Sequence, residues 1–196
     1  MSEAMVAHQS HPDDSKSILG FWIYIMTDCV LFASLFAVFA VMRNATFGGP
    51  NGHELFSLPF VLAETMLLLT SSFTCGLMVL AGRVRSKQWV MLALGVTFLL
   101  GLSFVCLEVS EFRHLVIEGN SWRRSGFLSA YFTLVATHGL HVSIGLLWLV
   151  VNGWRIVKRG LGDVTQKRLT LFSLFWHFLD IIWIIIFSMV YLVGVR

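Results

Sequence analysis

Among the ionisable side chains inside stretches of sequence otherwise suited to hydrocarbon are Asp28, Glu64, His138, His141, His177 and Asp180. His138 and His141 are three positions apart, as are His177 and Asp180, so on helices each pair shares one face. Thr137 precedes His141 by one turn and extends that polar face. Three uses of such residues compete. A helical HxxH pair with carboxylates nearby can ligate zinc or iron. Intramembrane carboxylates and imidazoles also build proton or ion pathways. The third use is structural, with polar groups satisfying one another and tying helices together. Membrane di-iron enzymes are built on many more histidines than these runs contain. Transporters usually show internal repeats or helices broken at mid-membrane, whereas Pro59 sits in the first turn of its run, where proline is tolerated. No Gly-rich phosphate loop, nucleophile elbow or hydrolytic triad is present.

The elements that must position these residues follow from composition. Hydrophobic residues make up 57% and charged residues 13% of the 196, where an ordinary soluble domain has about 45–50% and about 25%. So little charge cannot coat a water-soluble globule, and the surplus apolar surface must face lipid. Five runs are long enough to cross a bilayer, at about 18–42, 55–81, 88–110, 126–152 and 169–194. None shows the period-two alternation of a membrane barrel, and in lipid such runs must be helical. The expected fold is therefore all-α: a single domain of five transmembrane helices over 18–196, preceded by a polar, flexible tail over 1–17. His8 and His11 in that tail read as solvated. The tail lacks the basic start and cleavage site of a secretory signal.

Short links predict an up-and-down bundle with sequential neighbours in contact. Residues 43–54 are turn-rich, 82–87 a tight basic turn, and 111–125 and 153–168 longer polar links. Lys16, Arg83, Arg85, Lys87, Arg155, Lys158, Arg159, Lys167 and Arg168 fall on the side of the N-terminus. Only Arg43, Arg113, Arg123, Arg124 and Arg196 fall on the other. That asymmetry predicts a cytoplasmic N-terminus and an outer C-terminus. It also accounts for the net charge of +3 without nucleic acid as a partner. Cys29, Cys75 and Cys106 each lie in an apolar run and read as packing residues rather than a disulfide framework.

Along the fourth run, Ser129, Thr133, Thr137, His141 and Gly145 recur every four residues, a small-residue ridge suited to close helix approach. Depth and spacing predict that His138, His141, His177 and Asp180 meet across one contact, within a cleft that seats phospholipid. Arg123 and Arg124 are placed to attract its headgroup.

Four strings carry a resemblance: GFWIYIMTDCVLF (20–32), LPFVLAETMLLLTSS (58–72), SGFLSAYFTLVATHGLHVSIGLLW (125–148) and SLFWHFLDIIWIIIFSMVYL (173–192). Together they resemble subunit III of the haem–copper oxidases, from about Gly20 to the C-terminus. The five-span count fits the quinol-oxidase branch; the cytochrome c oxidase form typically has seven. The resemblance implies a non-catalytic accessory subunit in a multi-pass bacterial plasma (inner) membrane complex. It implies direct contact with subunit I, with subunits II and IV in the same assembly. Haems, copper and the ubiquinol site would belong to the large subunit, and this chain would hold no cofactor beyond bound phospholipid. Such a complex oxidises ubiquinol, reduces oxygen to water and pumps protons. The resemblance covers Glu64, the His138–His141 pair and the His177–Asp180 string without assigning them protons to carry. A proton-conducting role within the oxidase and an independent small transporter remain the alternative readings.

Overall fold

The computed structural model describes residues 12–43, 45 and 58–192. Five helices follow one another: α1 (Pro12–Met42), α2 (Leu58–Arg83), α3 (Lys87–Ile117), α4 (Gly126–Arg159) and α5 (Asp163–Ile186), the last continued by a π-helical segment, Phe187–Leu192. There is no strand among the described residues. All five are long and apolar enough to span a membrane, and helical backbone is what hydrocarbon requires of them. His8, His11, the turn residues 46–52 and Arg196 lie outside the described residues.

The helices overrun the apolar runs that announced them. α4 has 34 residues, about 50 Å at 1.5 Å per residue, against a hydrocarbon core of about 30 Å. Its ends, and those of α3, carry polar residues into the headgroup layer, so hydropathy alone placed the boundaries too early. Of the expected 1–17 tail, residues 12–17 are the opening turns of α1. The expected 111–125 link shrinks to 118–125 and the 153–168 link to 160–162.

Each join has a local cause. α3 ends in a Schellman motif, with Asn120 N–H donating to the Leu115 carbonyl at 2.9 Å and Gly119 N–H to Val116 at 3.1 Å. Gly119 takes a φ of +81° there, which favours glycine. The Ser125 hydroxyl caps α4, accepting from Leu128 N–H at 3.2 Å. On the opposite side, Arg85 in the 84–86 turn reaches Asp163 at the start of α5 at 2.7 Å. That pair is exposed and contributes little to stability.

The packing order corrects one expectation. α2–α3, α3–α4 and α4–α5 are neighbours as the short links require, and α2 also packs on α5. α1, however, rests on α4 and more lightly on α5, not along α2. Accordingly α5 is the most buried span and α1 the least. Cys75 is in the core as expected, whereas Cys29 and Cys106 are exposed on the lipid-facing surface.

Candidate functional site: the polar interior

The seam between α2 and α5 is stitched by hydroxyls against heteroaromatic rings. Trp183 donates Nε1–H to the Thr65 hydroxyl at 3.1 Å, and Trp176 donates its own to Ser71 at 3.0 Å. Ser72 meets His177 Nδ1 at 2.5 Å, and Asp180 stands 3.8 Å from the same nitrogen. Trp176 fits because glycines face it on two other helices. A Cβ on Gly101 of α3 would lie 2.9 Å from the Trp176 ring, and one on Gly145 of α4 equally near. One indole thus touches α2, α3 and α4 from α5.

A second contact joins α1 to α4. His141 Nδ1 lies 2.7 Å from the Thr137 carbonyl, and because a carbonyl only accepts, Nδ1 carries the proton. Nε2 then faces Asp28 Oδ1 at 3.6 Å. This facing pair is the polar contact between α1 and α4. Phe32 shields it, its ring centroid 5.2 Å from that of His141.

The third group lies nearer the end of the bundle that holds the 118–125 link. Glu64 on α2 and Glu108 and Glu111 on α3 stand within electrostatic range of one another. Tyr131 and Tyr191 share a hydrogen bond at 3.0 Å, and the Tyr191 hydroxyl reaches Glu111 Oε2 at 3.5 Å. Glu108 presses on α4 where Gly139 has no side chain; a Cβ there would collide with its carboxylate oxygens. His138, adjacent to Gly139, stacks on Trp183 at 5.3 Å with Phe104 edge-on at 6.0 Å. Both oxygens of Glu64, one of Glu108 and both ring nitrogens of His138 have no hydrogen-bond partner among the described residues. Buried polar atoms are nearly always paired, so these are the groups best suited to take up water or share protons.

The sequence-predicted residues are therefore all interior or half-buried, but they do not converge. His141 goes to Asp28, His177 goes to Ser72 with Asp180 3.8 Å from the same ring nitrogen, and His138 sits among aromatic rings. Glu108, Glu111, Tyr131 and Tyr191 were missed. Glu108 lies inside the third apolar run, close to its end, and Glu111 is the first residue past it, so the string LEVSE (107–111) is the signal in the sequence that could have found both. Tyr191 is turned inward by the π-helical segment, for which the sequence carries no signal. Among the described residues no group of three or more His, Cys, Asp or Glu is placed to hold a metal ion. The expected small-residue ridge is half a helix contact. Gly145 is buried against Trp176, but Ser129 and Thr133 are exposed and line a groove of about 640 Å³ between α3 and α4 with Arg113 and Trp122.

This architecture, five spans with an interior of imidazoles, carboxyls and indoles, has relatives. The sequence profile described as cytochrome c oxidase subunit III matches residues 3–195. The chain belongs to that family. A subunit 3 of cytochrome bo(3) ubiquinol oxidase from Pseudomonas aeruginosa is 52% identical over 94% of this chain and 88% of its own length. A quinol oxidase subunit 3 from Bacillus subtilis is 46% identical over 98% and 94%. A cytochrome c oxidase subunit 3 from Bacillus sp. (strain PS3) is 43% identical over 93% and 88%. The resemblance read from the four strings holds over almost the whole chain. As a subunit III, it is an accessory component of a terminal oxidase rather than a self-contained enzyme.

Proposed function

We propose that this chain is the subunit III of a proton-pumping ubiquinol oxidase in a bacterial plasma membrane, where it supports assembly and stability and holds lipid. The observation that carries this reading is how the interior polar groups are spent. Thr65, Ser71, Ser72, Trp176, Trp183 and His177 join α2 to α5, and Asp28 and His141 join α1 to α4. The polar side chains spent in these joins hold neighbouring helices together. Haems, copper and the quinol site reside in the large subunit I, which this chain contacts directly, with subunits II and IV in the same complex. Affinity purification through a tag on this chain should recover a haem-absorbing assembly that oxidises ubiquinol, while the chain expressed alone should be colourless. Stoichiometric haem on the isolated chain, or no haem protein in the pull-down, would sink the proposal.

The N-terminus is cytoplasmic, supported by the clustering of basic residues at the 84–86 and 160–162 turns. A cysteine at Val84 should then react with a membrane-impermeant maleimide only in inverted vesicles, and one at Glu118 only in intact spheroplasts. The reverse pattern would invert the whole subunit. Phospholipid headgroups are held at the outer face by exposed Arg123 and Arg124, the latter oriented by a 2.6 Å hydrogen bond to Asn120.

A further inference from the structure

Glu64 from α2, Glu108 from α3 and His138 from α4 gather around one pair of rings, Phe104 and Trp183, whose centroids are 4.7 Å apart. Phe104 is one turn before Glu108 on α3 and stands edge-on to His138, on which Trp183 stacks. Trp183 also donates to Thr65, the chain neighbour of Glu64. The Glu108 carboxylate lies against Gly139, the chain neighbour of His138. Glu64 and Glu108 are 0% and 3% exposed and His138 is 0% exposed. The two oxygens of Glu64, Oε1 of Glu108 and both ring nitrogens of His138 have no hydrogen-bond partner among the described residues. The joins elsewhere in the interior are made directly, hydroxyl to indole or hydroxyl to imidazole.

A buried donor or acceptor left unpaired carries its full desolvation cost, and in a membrane interior that cost is steepest. A partner for these atoms must be small, because all three side chains are enclosed, and it must both donate and accept. Carboxyl groups accept, and one ring nitrogen of an imidazole accepts while the other donates. A metal ion is the wrong partner, since among the described residues no three His, Cys, Asp or Glu are placed to hold one. Water fits, because it donates twice, accepts twice, and is held in protein interiors by two to four polar partners. We propose that Glu64, Glu108 and His138 form a binding site for ordered water that bridges α2, α3 and α4. Tyr131, Tyr191 and Glu111, joined by hydrogen bonds of 3.0 and 3.5 Å, flank the site toward the 118–125 link. Half-buried Glu111 gives water a polar entrance from that end. The inference goes beyond the accessory role and stands on this chain's own residues, whichever subunits surround it.

X-ray radiolysis of native membranes in heavy-oxygen water tests it, because hydroxyl radicals made from a bound water label the side chain beside it. Trp183 and Trp176 are each 1% exposed and each has its indole N–H bonded to a hydroxyl, but only Trp183 stands at the site. Mass spectrometry of the recovered subunit should find Trp183 labelled about threefold faster than Trp176 or more. Glu64→Leu and His138→Phe each remove two of the unpaired atoms and should bring Trp183 down to the Trp176 rate. Equally slow labelling of both indoles in the unsubstituted chain would mean a dry interior and overturn the site, whether or not either variant is retained in the membrane. Fast labelling of Trp183 that survives both substitutions would overturn it as well, since the water would then be held by other groups. A high-resolution map of the chain in its membrane complex gives a second reading. Water density within hydrogen-bond distance of Glu64 and of Glu108 or His138 supports the site. Direct contact between these side chains, or density coordinated like a metal ion, refutes it.

Discussion

Trp176→Ala should destabilise the bundle by about 3–5 kcal/mol, the cost of emptying a large buried aromatic site, and should release this subunit when the complex is extracted in detergent. The indole is 1% exposed and is gripped from three helices: Ser71 on α2 holds its Nε1–H, and Gly101 and Gly145 clear space for the ring on α3 and α4. Without it the two glycines face a void that no neighbouring side chain reaches without shifting a helix. Trp176→Phe keeps most of the ring contact and gives up the hydrogen bond, so its cost should be nearer 1 kcal/mol. Subunit content and thermal aggregation of the purified complex measure both. Equal stability of wild type and Trp176→Ala would show that the four-helix contact contributes nothing.

The second large effect is expected at Gly139. A valine there forces the Glu108 side chain out of its niche, a crowding cost of about 1–3 kcal/mol. Subunit III should be depleted from the complex. Glu108→Ala in the same chain removes the colliding atoms and should restore its content, a coupling that independent sites would not show. The restored complex then separates structure from proton transfer. Normal quinol oxidation and pumping mean that the carboxyl cluster is a packing device. Full assembly with haem present but pumping lost would make it a working proton site.

Much of this was legible in the sequence because hydrocarbon imposes so strict a rule. Five apolar runs had to be five helices, and ionisable residues within them had to turn inward, as Asp28, Glu64, His138 and Asp180 do. Which helix each one meets was not legible. Spacing puts His141 and His177 on helical faces, but the rotation of one helix against another depends on side chains from the other four. Trp176 entering between two glycines is one such determinant, and the return of α1 to α4 is another. Glu111 is hidden by a different cause. Hydropathy marks where a run stops being apolar, while the backbone continues as helix to Ile117, carrying this carboxyl past the end of the apolar run. Thr133 and Thr137 satisfy their hydroxyls on carbonyls of their own helix, so a hydroxyl ridge can face lipid where the sequence suggested a partner.

The attachment of α1 to α4 has a consequence for how the chain is made. α1 leaves the ribosome first, yet the helix it docks on is the fourth to be synthesised. Asp28 must therefore enter the bilayer and wait for His141, about a hundred residues behind it. At roughly 5–20 residues per second that wait is on the order of ten seconds, long beside the diffusion of a helix in lipid. During it the carboxyl has only Tyr24, one turn back on its own helix, beside it, and the insertion machinery, a lipid headgroup or a neighbouring subunit must shelter the rest. The nascent chain is thus most exposed to mispairing and proteolysis before α4 is complete, and the order of synthesis gives any subunit already in the membrane an interval in which to capture it.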